Sequence, residues 1–244
     1  MNKLMKKVIT SATALGILTT MSPTLSFAST DNKTSNASSK VNRNTEKNNV
    51  SLKIIKDDNQ ERVVQSSDSN LISISTYNKI TKTVSISTRN LTDNLVSNQT
   101  IDLNTVQRNL SKDLGPQYMQ QSLQLIDKGT SLDEKWYYYY YTNNVWLIKI
   151  PGQRAKNPIE NSSNSKELNG FRSSVLSKKE HEIAFTAKVS GEAALAAIAL
   201  CETPTPWTTV AGAAAAIGIA VWAIPDLFKV YQDGENCTYY YQRI

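Results

Sequence analysis

The sequence predicts an α+β fold: an N-terminal antiparallel β-meander with short helices and a Tyr-rich hairpin, followed by a C-terminal Ala-rich helical hairpin. Three observations support this. Short β-branched segments alternate with polar turns, five consecutive tyrosines precede an Asn-Asn pair, and residues 193–225 are rich in alanine and glycine with one charge, Glu202. The predicted organisation is a signal peptide at 1–28, a disordered leader at 29–50, a β-rich domain at 51–152 with helices near 104–128, a linker at 153–172, and a helical hairpin with a Tyr-rich tail at 173–244.

The N-terminus has the pattern of a secretory signal peptide. Lys3, Lys6 and Lys7 precede a short apolar run, and Ala28 lies where signal peptidase cleaves. The alternative is a membrane anchor, for which the run is too short. We therefore expect a secreted, extracellular protein without an anchor. Because the signal contributes three lysines and no acids, its removal lowers the formal net charge from +6 to +3, which argues against nucleic-acid binding.

The two segments that follow differ in amino-acid composition. The leader is dominated by asparagine, threonine, serine and lysine, and it has too little apolar area to offset the entropy of ordering. Alternation begins beyond it: Ile72 and Ile74 share one face of one apolar segment, and Val84 and Ile86 share one face of the next. Short polar turns join antiparallel neighbours, which predicts a meander. The opposite face carries serine and threonine, and we expect it to be solvated.

Residues 104–128 predict two short helices. Val106, Leu110 and Leu114 recur every four residues, and Gly129 is placed to end the second helix. The tyrosine run then predicts a β-hairpin, since aromatic residues favour strands and Asn-Asn suits a tight turn.

Alternate aromatic residues of this hairpin point to opposite faces of the strand. One set is expected to pack inward and the other to form an exposed row, which could stack on sugar rings or lie at a membrane interface. The alternative is that the rings only pack the sheet against helices. The candidate target-contact residues are Trp136, Tyr137, Tyr138, Tyr139, Tyr140, Tyr141, Trp207 and Trp222.

The C-terminal part predicts two antiparallel helices. The first arm, residues 178–200, places Ile183 on its apolar side, and the second, residues 207–224, has 18 uncharged residues. Its length would fit a bilayer, but alanine buries little apolar area. We expect a hairpin buried in the secreted protein, with membrane insertion as a conditional second state.

Cysteine usage predicts a single crosslink. An even pair in an exported protein favours a disulfide between Cys201 and Cys237, with the chain after residue 225 running back along the hairpin to reach Cys201. The alternative is two buried free thiols. The final tyrosine-rich segment is a possible last strand.

The sequence offers little that points to catalysis. His181 is the single histidine, and the spacing of Ser177 and Glu180 is that of a capping box, which places His181 on the solvated first turn of a helix. Metal sites usually need several histidines or cysteines, and no phosphate-binding glycine loop is present. We expect no enzymatic activity, no catalytic residue, no metal and no cofactor.

The layout resembles that of a known family. The segment NLISISTYNKITKTVSIST, the signal peptide, the polar leader and the Ala/Gly-rich C-terminal segment resemble the large unmodified bacteriocins of the geobacillin-26-like family. The resemblance implies an exported antibacterial protein that acts on the cell surface or membrane of competing Gram-positive bacteria, with a possible immunity protein as partner. The alternative is a secreted, non-enzymatic protein that binds cell-wall or surface glycans through the tyrosine row.

Overall fold

The computed structural model describes residues 50–105, 123–189, 191–203 and 205–244. It confirms the α+β class, with a five-stranded antiparallel sheet, a three-stranded sheet and a C-terminal helical region. The strands are β1 Ser51–Asp57, β2 Glu61–Ser67, β3 Leu71–Asn78, β4 Thr83–Asn90, β5 Val96–Asp102, β6 Leu125–Thr130, β7 Tyr137–Tyr141 and β8 Val145–Lys149. The helices are α1 Ser165–Lys188, α2 Glu192–Leu200, α3 Trp207–Ala216 and α4 Ile224–Arg243.

The first sheet is the predicted meander, with the strands in chain order from β1 to β5. Its turns form where the sequence places them because acidic or amide side chains accept hydrogen bonds from the turn backbone. Asp58 accepts from the backbone N–H of Gln60 and of Glu61, at 2.8 Å each, and Asp68 and Asn78 act in the same way in the next two turns. The fifth strand, Val96–Asp102, was not predicted and extends the meander at its C-terminal end.

The predicted faces of the sheet are right for β4 and wrong for β3. Val84 and Ile86 are buried, as expected, but Ser73 and Ser75 are also fully buried while Ile74 is 42 % exposed. The pairing of Ser75 with Ile86 places them on the same face. The reason is that α3 packs against β2 and β3, and its small side chains fit a face that also has small side chains.

The second sheet replaces part of the predicted helical region. Residues 106–122, which contain most of that prediction, lie outside the described residues. Leu125–Thr130, where we expected the end of a helix, is strand β6, antiparallel to the tyrosine strand β7. The local pattern misleads because this strand depends on its pairing with β7. Gly129 permits that pairing, since a Cβ there would lie 2.4 Å from the Tyr138 ring.

Helix α1 begins at Ser165, inside the segment predicted as a linker. Ser177 and Glu180 therefore lie within a helix, and the capping-box interpretation is wrong. The apolar side that we predicted is also wrong, because Ile183 is 47 % exposed. The buried positions recur at spacings of three and four and include two charged residues: Leu168, Phe171, Val175, Lys178, Glu182 and Phe185.

The predicted two-arm helical hairpin is wrong in its connections. The first arm is broken near Gly191 (φ 84°) and the second near Gly218 (φ 106°), where a left-handed backbone favours glycine. The chain after Pro225, predicted as an extended return and a last strand, is helix α4, which packs along α1. No helix in the described part of the chain is long and apolar enough to cross a membrane.

Candidate functional site

Helix α3 is an apolar element that is almost completely buried. Pro206 precedes its first residue, and alanines favour its helical conformation. Every residue from Thr208 to Ala216 is buried. The helix lies within residues 193–225, whose single acidic or basic side chain is Glu202. An uncharged segment is thus enclosed between the first sheet and the other helices.

Hydroxyl groups line the contact between α3 and the sheet. The Oγ of Ser73 and the Oγ1 of Thr88 are 3.1 Å apart, and the same Thr88 atom is 3.1 Å from the Oγ1 of Thr209 on α3. Thr208 donates a hydrogen bond to the carboxylate of Asp68 in the turn before β3. Burial opposes ionisation of Asp68, but the hydrogen bonds from Thr208 and from two backbone N–H groups lower its pKa.

The helix and the sheet approach closely at Gly212. A Cβ at this position would lie 2.3 Å from the Oγ of Ser66 and 3.4 Å from the Oγ of Ser75. Both serines are fully buried, and the Ser75 hydroxyl has no hydrogen-bond partner within the described ranges. Small side chains on both partners therefore set the distance between them.

This interface differs from an ordinary apolar core. Alanine, glycine and serine bury little apolar area, so separating the two surfaces forfeits less hydrophobic stabilisation than separating surfaces lined with leucine or isoleucine. Water would satisfy the exposed hydroxyl groups after separation. Detachment of α3 is therefore less costly than its complete burial suggests.

Helix α1 contains a buried ion pair. Lys178 Nζ and Glu182 Oε1 are 3.1 Å apart on α1, and both side chains are fully buried. Glu182 Oε2 also accepts from the backbone N–H of Leu132 at 2.6 Å, and Lys178 Nζ lies 5.1 Å from the centre of the Trp136 ring. The pair ties α1 to the loop before β7.

A carboxyl pair connects the same loop to the turn after α2. Lys135 Nζ is 2.5 Å from Glu202 Oε2 and 3.3 Å from Asp133 Oδ2. Burial, followed by the proximity of Asp133, raises the pKa of Glu202 to about 9. Burial opposes ionisation of Asp133, but hydrogen bonds from Glu202 and Ser131 and the charge of Lys135 lower its pKa to about 2. At neutral pH Glu202 is therefore protonated.

A proton on Glu202 supplies a donor where two carboxyl oxygens accept no hydrogen bond. These oxygens are Asp133 Oδ2 and Glu202 Oε1, judged within the part of the chain that the structure describes. A protonated Glu202 supplies a donor to Asp133. Consequently, the one carboxyl group of residues 193–225 is neutral in the folded protein.

The comparisons with known proteins give no identity. No family model, curated protein or solved structure matches this chain.

The candidate aromatic residues do not form one surface. Trp136 and Tyr138 are 4 % and 1 % exposed. With Tyr140, they pack with Trp146 in the core between the second sheet, α1 and α4, which we call the second core cluster. On the opposite face, Tyr137 and Tyr139 are half-buried and Tyr141 is buried. The expected row of exposed tyrosines is therefore wrong, although the alternation of the two faces is right. The prediction missed the burial of these rings because it depends on elements that are distant in the sequence.

The two other candidate tryptophans lie at opposite ends of the apolar segment. Trp207 is half-buried, with its ring centre 4.9 Å from that of Phe228 and 5.5 Å from that of Tyr231. Trp222 is 56 % exposed beside Val221, which is 43 % exposed, in a short 3₁₀ turn before α4. Of the eight candidates, Trp222 alone presents a largely exposed ring.

The predicted disulfide is wrong. Cys201 and Cys237 are free, buried and in different core clusters. The predicted return path does not exist, because the residues that should have carried Cys237 back to Cys201 form α4. Burial raises the pKa of the Cys201 thiol to about 12 and also raises the pKa of Cys237, so both remain protonated thiols. The alternative of two buried free thiols is the one that the structure bears out.

His181 is a surface residue with a specific partner. Its Nδ1 lies 2.6 Å from the Oδ2 of Asp233, and this contact joins α1 to α4. The described residues include no group of three or more histidine, cysteine or acidic side chains that could hold a metal ion. The expectation that the chain is not an enzyme stays a prediction.

Sequence reasoning missed the buried charged residues. Lys178 and Glu182 occupy core positions of α1, and a charged residue at a core position is hard to recognise because charge usually marks a solvated face. A signal was present: Leu168, Phe171 and Val175 continue at the same spacing through Lys178 and Glu182.

Proposed function

We propose that this chain is an exported antibacterial protein that acts on the membranes of competing Gram-positive bacteria by releasing α3 and its flanking residues from the core. The observation that carries the proposal is that α3, a wholly uncharged helix, packs on a face of the first sheet that is lined with hydroxyl groups. The N-terminal export pattern and the resemblance to the geobacillin-26-like bacteriocins support the setting. The target cell surface and an immunity partner belong to the same proposal.

The released segment has the composition and length for a bilayer. Residues 203–225 have no ionisable side chain. As one continuous helix, residues 207–224 would extend about 27 Å, close to the hydrocarbon thickness of roughly 30 Å. In the folded chain this segment is divided between α3, the turn at Gly218 and the first residue of α4, so insertion requires those parts to join.

Trp222 and Val221 supply the first contact with lipid. Tryptophan favours the interface between headgroups and hydrocarbon because its ring has both an apolar body and a polar N–H. Four residues separate the exposed pair from the end of α3, so docking there brings the uncharged helix close to the membrane.

Tethering α3 to the sheet tests the mechanism. The hydroxyl oxygens of Thr88 and Thr209 are 3.1 Å apart, so the double variant Thr88→Cys/Thr209→Cys places two sulfurs within reach of a bond of about 2.05 Å. The oxidised variant should neither clear lawns of related bacteria nor release dye from anionic vesicles, and dithiothreitol should restore both activities. The single variants Thr88→Cys and Thr209→Cys serve as controls.

The possible outcomes separate the function from the mechanism. An absence of clearing by the unmodified protein on a broad panel of Gram-positive lawns would overturn the antibacterial function. Clearing by the oxidised double variant at the unmodified level would overturn the release of α3. Clearing of lawns without leakage from vesicles would place the target outside the lipid.

A further inference from the structure

A cleft of about 1050 Å³ opens between the C-terminal half of α4 and the loop after β8. Its walls are the loop 151–156 after β8, the turn 201–203 after α2, and the α4 residues around Gly234. Such a volume exceeds that of an ordinary packing defect and lies in the range of ligand-binding sites. Val221 and Trp222, the proposed contacts with lipid, do not line it.

The loop that forms the outer wall is fixed in place. The Tyr241 hydroxyl donates a hydrogen bond to the backbone carbonyl of Arg154, and Lys156 Nζ donates to the backbone carbonyl of Tyr241 at 2.7 Å. The same ammonium group lies 4.4 Å from the centre of the Tyr241 ring. Three contacts between the loop and one residue of α4 preorganise this wall, so little ordering is needed when a ligand binds.

The inner wall contains an unused hydrogen-bond donor. Trp136 is 4 % exposed, and its Nε1 has no partner among the residues that the structure describes. An indole N–H is a donor only, and leaving it buried and unpaired is unfavourable. Trp136 lines the cleft, and its ring atoms Cη2 and Cζ2 would lie 3.6 Å from a Cβ at Gly234, so the indole lies directly behind the glycine of α4.

The outer wall contains an unpaired cation. Arg154 is exposed, and within the described ranges its guanidinium has neither a salt bridge nor a side-chain hydrogen bond. Lys156 adds a second positive charge to the lining and Glu235 one negative charge, while the Glu202 carboxyl is paired with Lys135. The cleft is therefore net positive and suits an anion, and guanidinium groups bind carboxylates in a bidentate geometry.

We propose that this cleft binds a peptide that ends in a free carboxylate. Arg154 takes the terminal carboxylate, and the Trp136 N–H donates to a peptide carbonyl of the ligand. This site is separate from the proposed action on membranes, and it stands on its own geometry. The chemistry of the two groups selects a ligand with an acceptor carbonyl and an anionic end.

The test follows the indole N–H signals of the ¹⁵N-labelled protein. The chain has four tryptophans, and Trp136→Phe identifies the Trp136 signal. Adding N-acetyl-Ala-Ala should move that signal downfield to saturation and leave the other three unchanged. Arg154→Gln should weaken binding at least fivefold, whereas Arg89→Gln, at an exposed arginine on β4, should leave it unchanged. The C-terminally amidated probe should bind the unmodified protein as weakly as N-acetyl-Ala-Ala binds the Arg154→Gln variant.

Three results would overturn the proposal. The first is a Trp136 signal that does not move at millimolar probe. The second is equal binding of the free and amidated probes. The third is a shift with N-acetylglucosamine as large as with the peptide and insensitive to Arg154→Gln, which would assign the cleft to a sugar amide.

Discussion

Glu202 is the residue on which the chemistry of the apolar segment depends. A carboxylate in this position would be the one charge of residues 193–225, and a charge in an apolar environment is costly unless it is neutralised. Burial and the proximity of Asp133 favour the neutral form by raising the pKa of Glu202, while Lys135 contacts both groups. Release of the segment therefore does not need to carry a charged side chain out of its ion pair.

The shared proton predicts a pH dependence of stability. The pKa of Glu202 is raised from 4.5 to about 9 in the folded state. Its contribution to stability is therefore full below pH 4.5 and is lost as the pH rises toward 9, at up to about 1.4 kcal/mol per pH unit. The variant Glu202→Gln keeps a donor to Asp133 and cannot ionise. Between pH 5 and 8, its free energy of unfolding should fall less with pH than that of the unmodified protein, as measured by urea denaturation.

Glu235→Gln is the matched control, because Glu235 is an exposed glutamate on α4. It should keep the slope of the unmodified protein. Asp133 acts in the opposite direction: its pKa is lowered from 3.8 to about 2, so its contribution is lost as the pH falls from about 4 toward 2. Equal slopes for the unmodified protein and the Glu202→Gln variant would contradict a shared proton.

At the scale of elements, the sequence predicted correctly those features that depend on local patterns alone. The meander was predictable because its turns have side-chain acceptors and its strands alternate. The inward face of β3 was not, because Ser73 and Ser75 are buried only by virtue of the equally small side chains of α3. Trp222 was a candidate contact by residue type, and its ring is exposed. The burial of Trp136 and Tyr138 depends on α1 and α4, which the sequence did not predict at these positions.

The close approach of α3 and the sheet at Gly212 predicts a strong steric coupling. In Gly212→Ala the new Cβ would lie 2.3 Å from Ser66 Oγ and 2.9 Å from Ser66 Cβ, a clash that should lower the free energy of unfolding by about 1–3 kcal/mol. The helix propensity of alanine would offset less than about 1 kcal/mol of this. Adding Ser66→Gly removes both clashing atoms and should restore part of the loss, which a double-mutant cycle measures.

Gly234→Ala is the internal comparison on α4. A Cβ there would meet its nearest neighbours at 3.6 Å or more, which is ordinary contact, so the variant should be stabilised by about 0.5–1 kcal/mol through helix propensity. Equal effects of the two glycine substitutions would contradict the close approach of α3 to the sheet.

At the scale of the whole molecule, the two cores differ in what holds them. The core of the second sheet, α1 and α4 contains large aromatic and aliphatic side chains, such as Trp146, Phe171 and Leu168. The face between α3 and the first sheet contains alanines, glycine and hydroxyls, together with Val64 and the partly buried Leu52 and Tyr77. Because apolar area sets most of the free energy of packing, the second core should stay intact under conditions that separate α3 from the sheet.

This difference predicts selective exposure on a membrane. Ser75 is fully buried on the sheet face under α3, and its hydroxyl has no partner in the described chain, so Ser75→Cys exchanges one small side chain for another without losing a hydrogen bond. In solution the new thiol should be protected from a maleimide, and anionic vesicles should make it reactive, as measured by mass spectrometry of the labelled peptides. The variant also has its two native thiols, and Cys237, fully buried in the second core, should remain unlabelled. Cys201 lies next to the released segment, so its peptide is read separately and does not enter the comparison. Labelling of both Cys237 and the new thiol would indicate global unfolding, and protection of both on vesicles that the protein permeabilises would contradict release of α3.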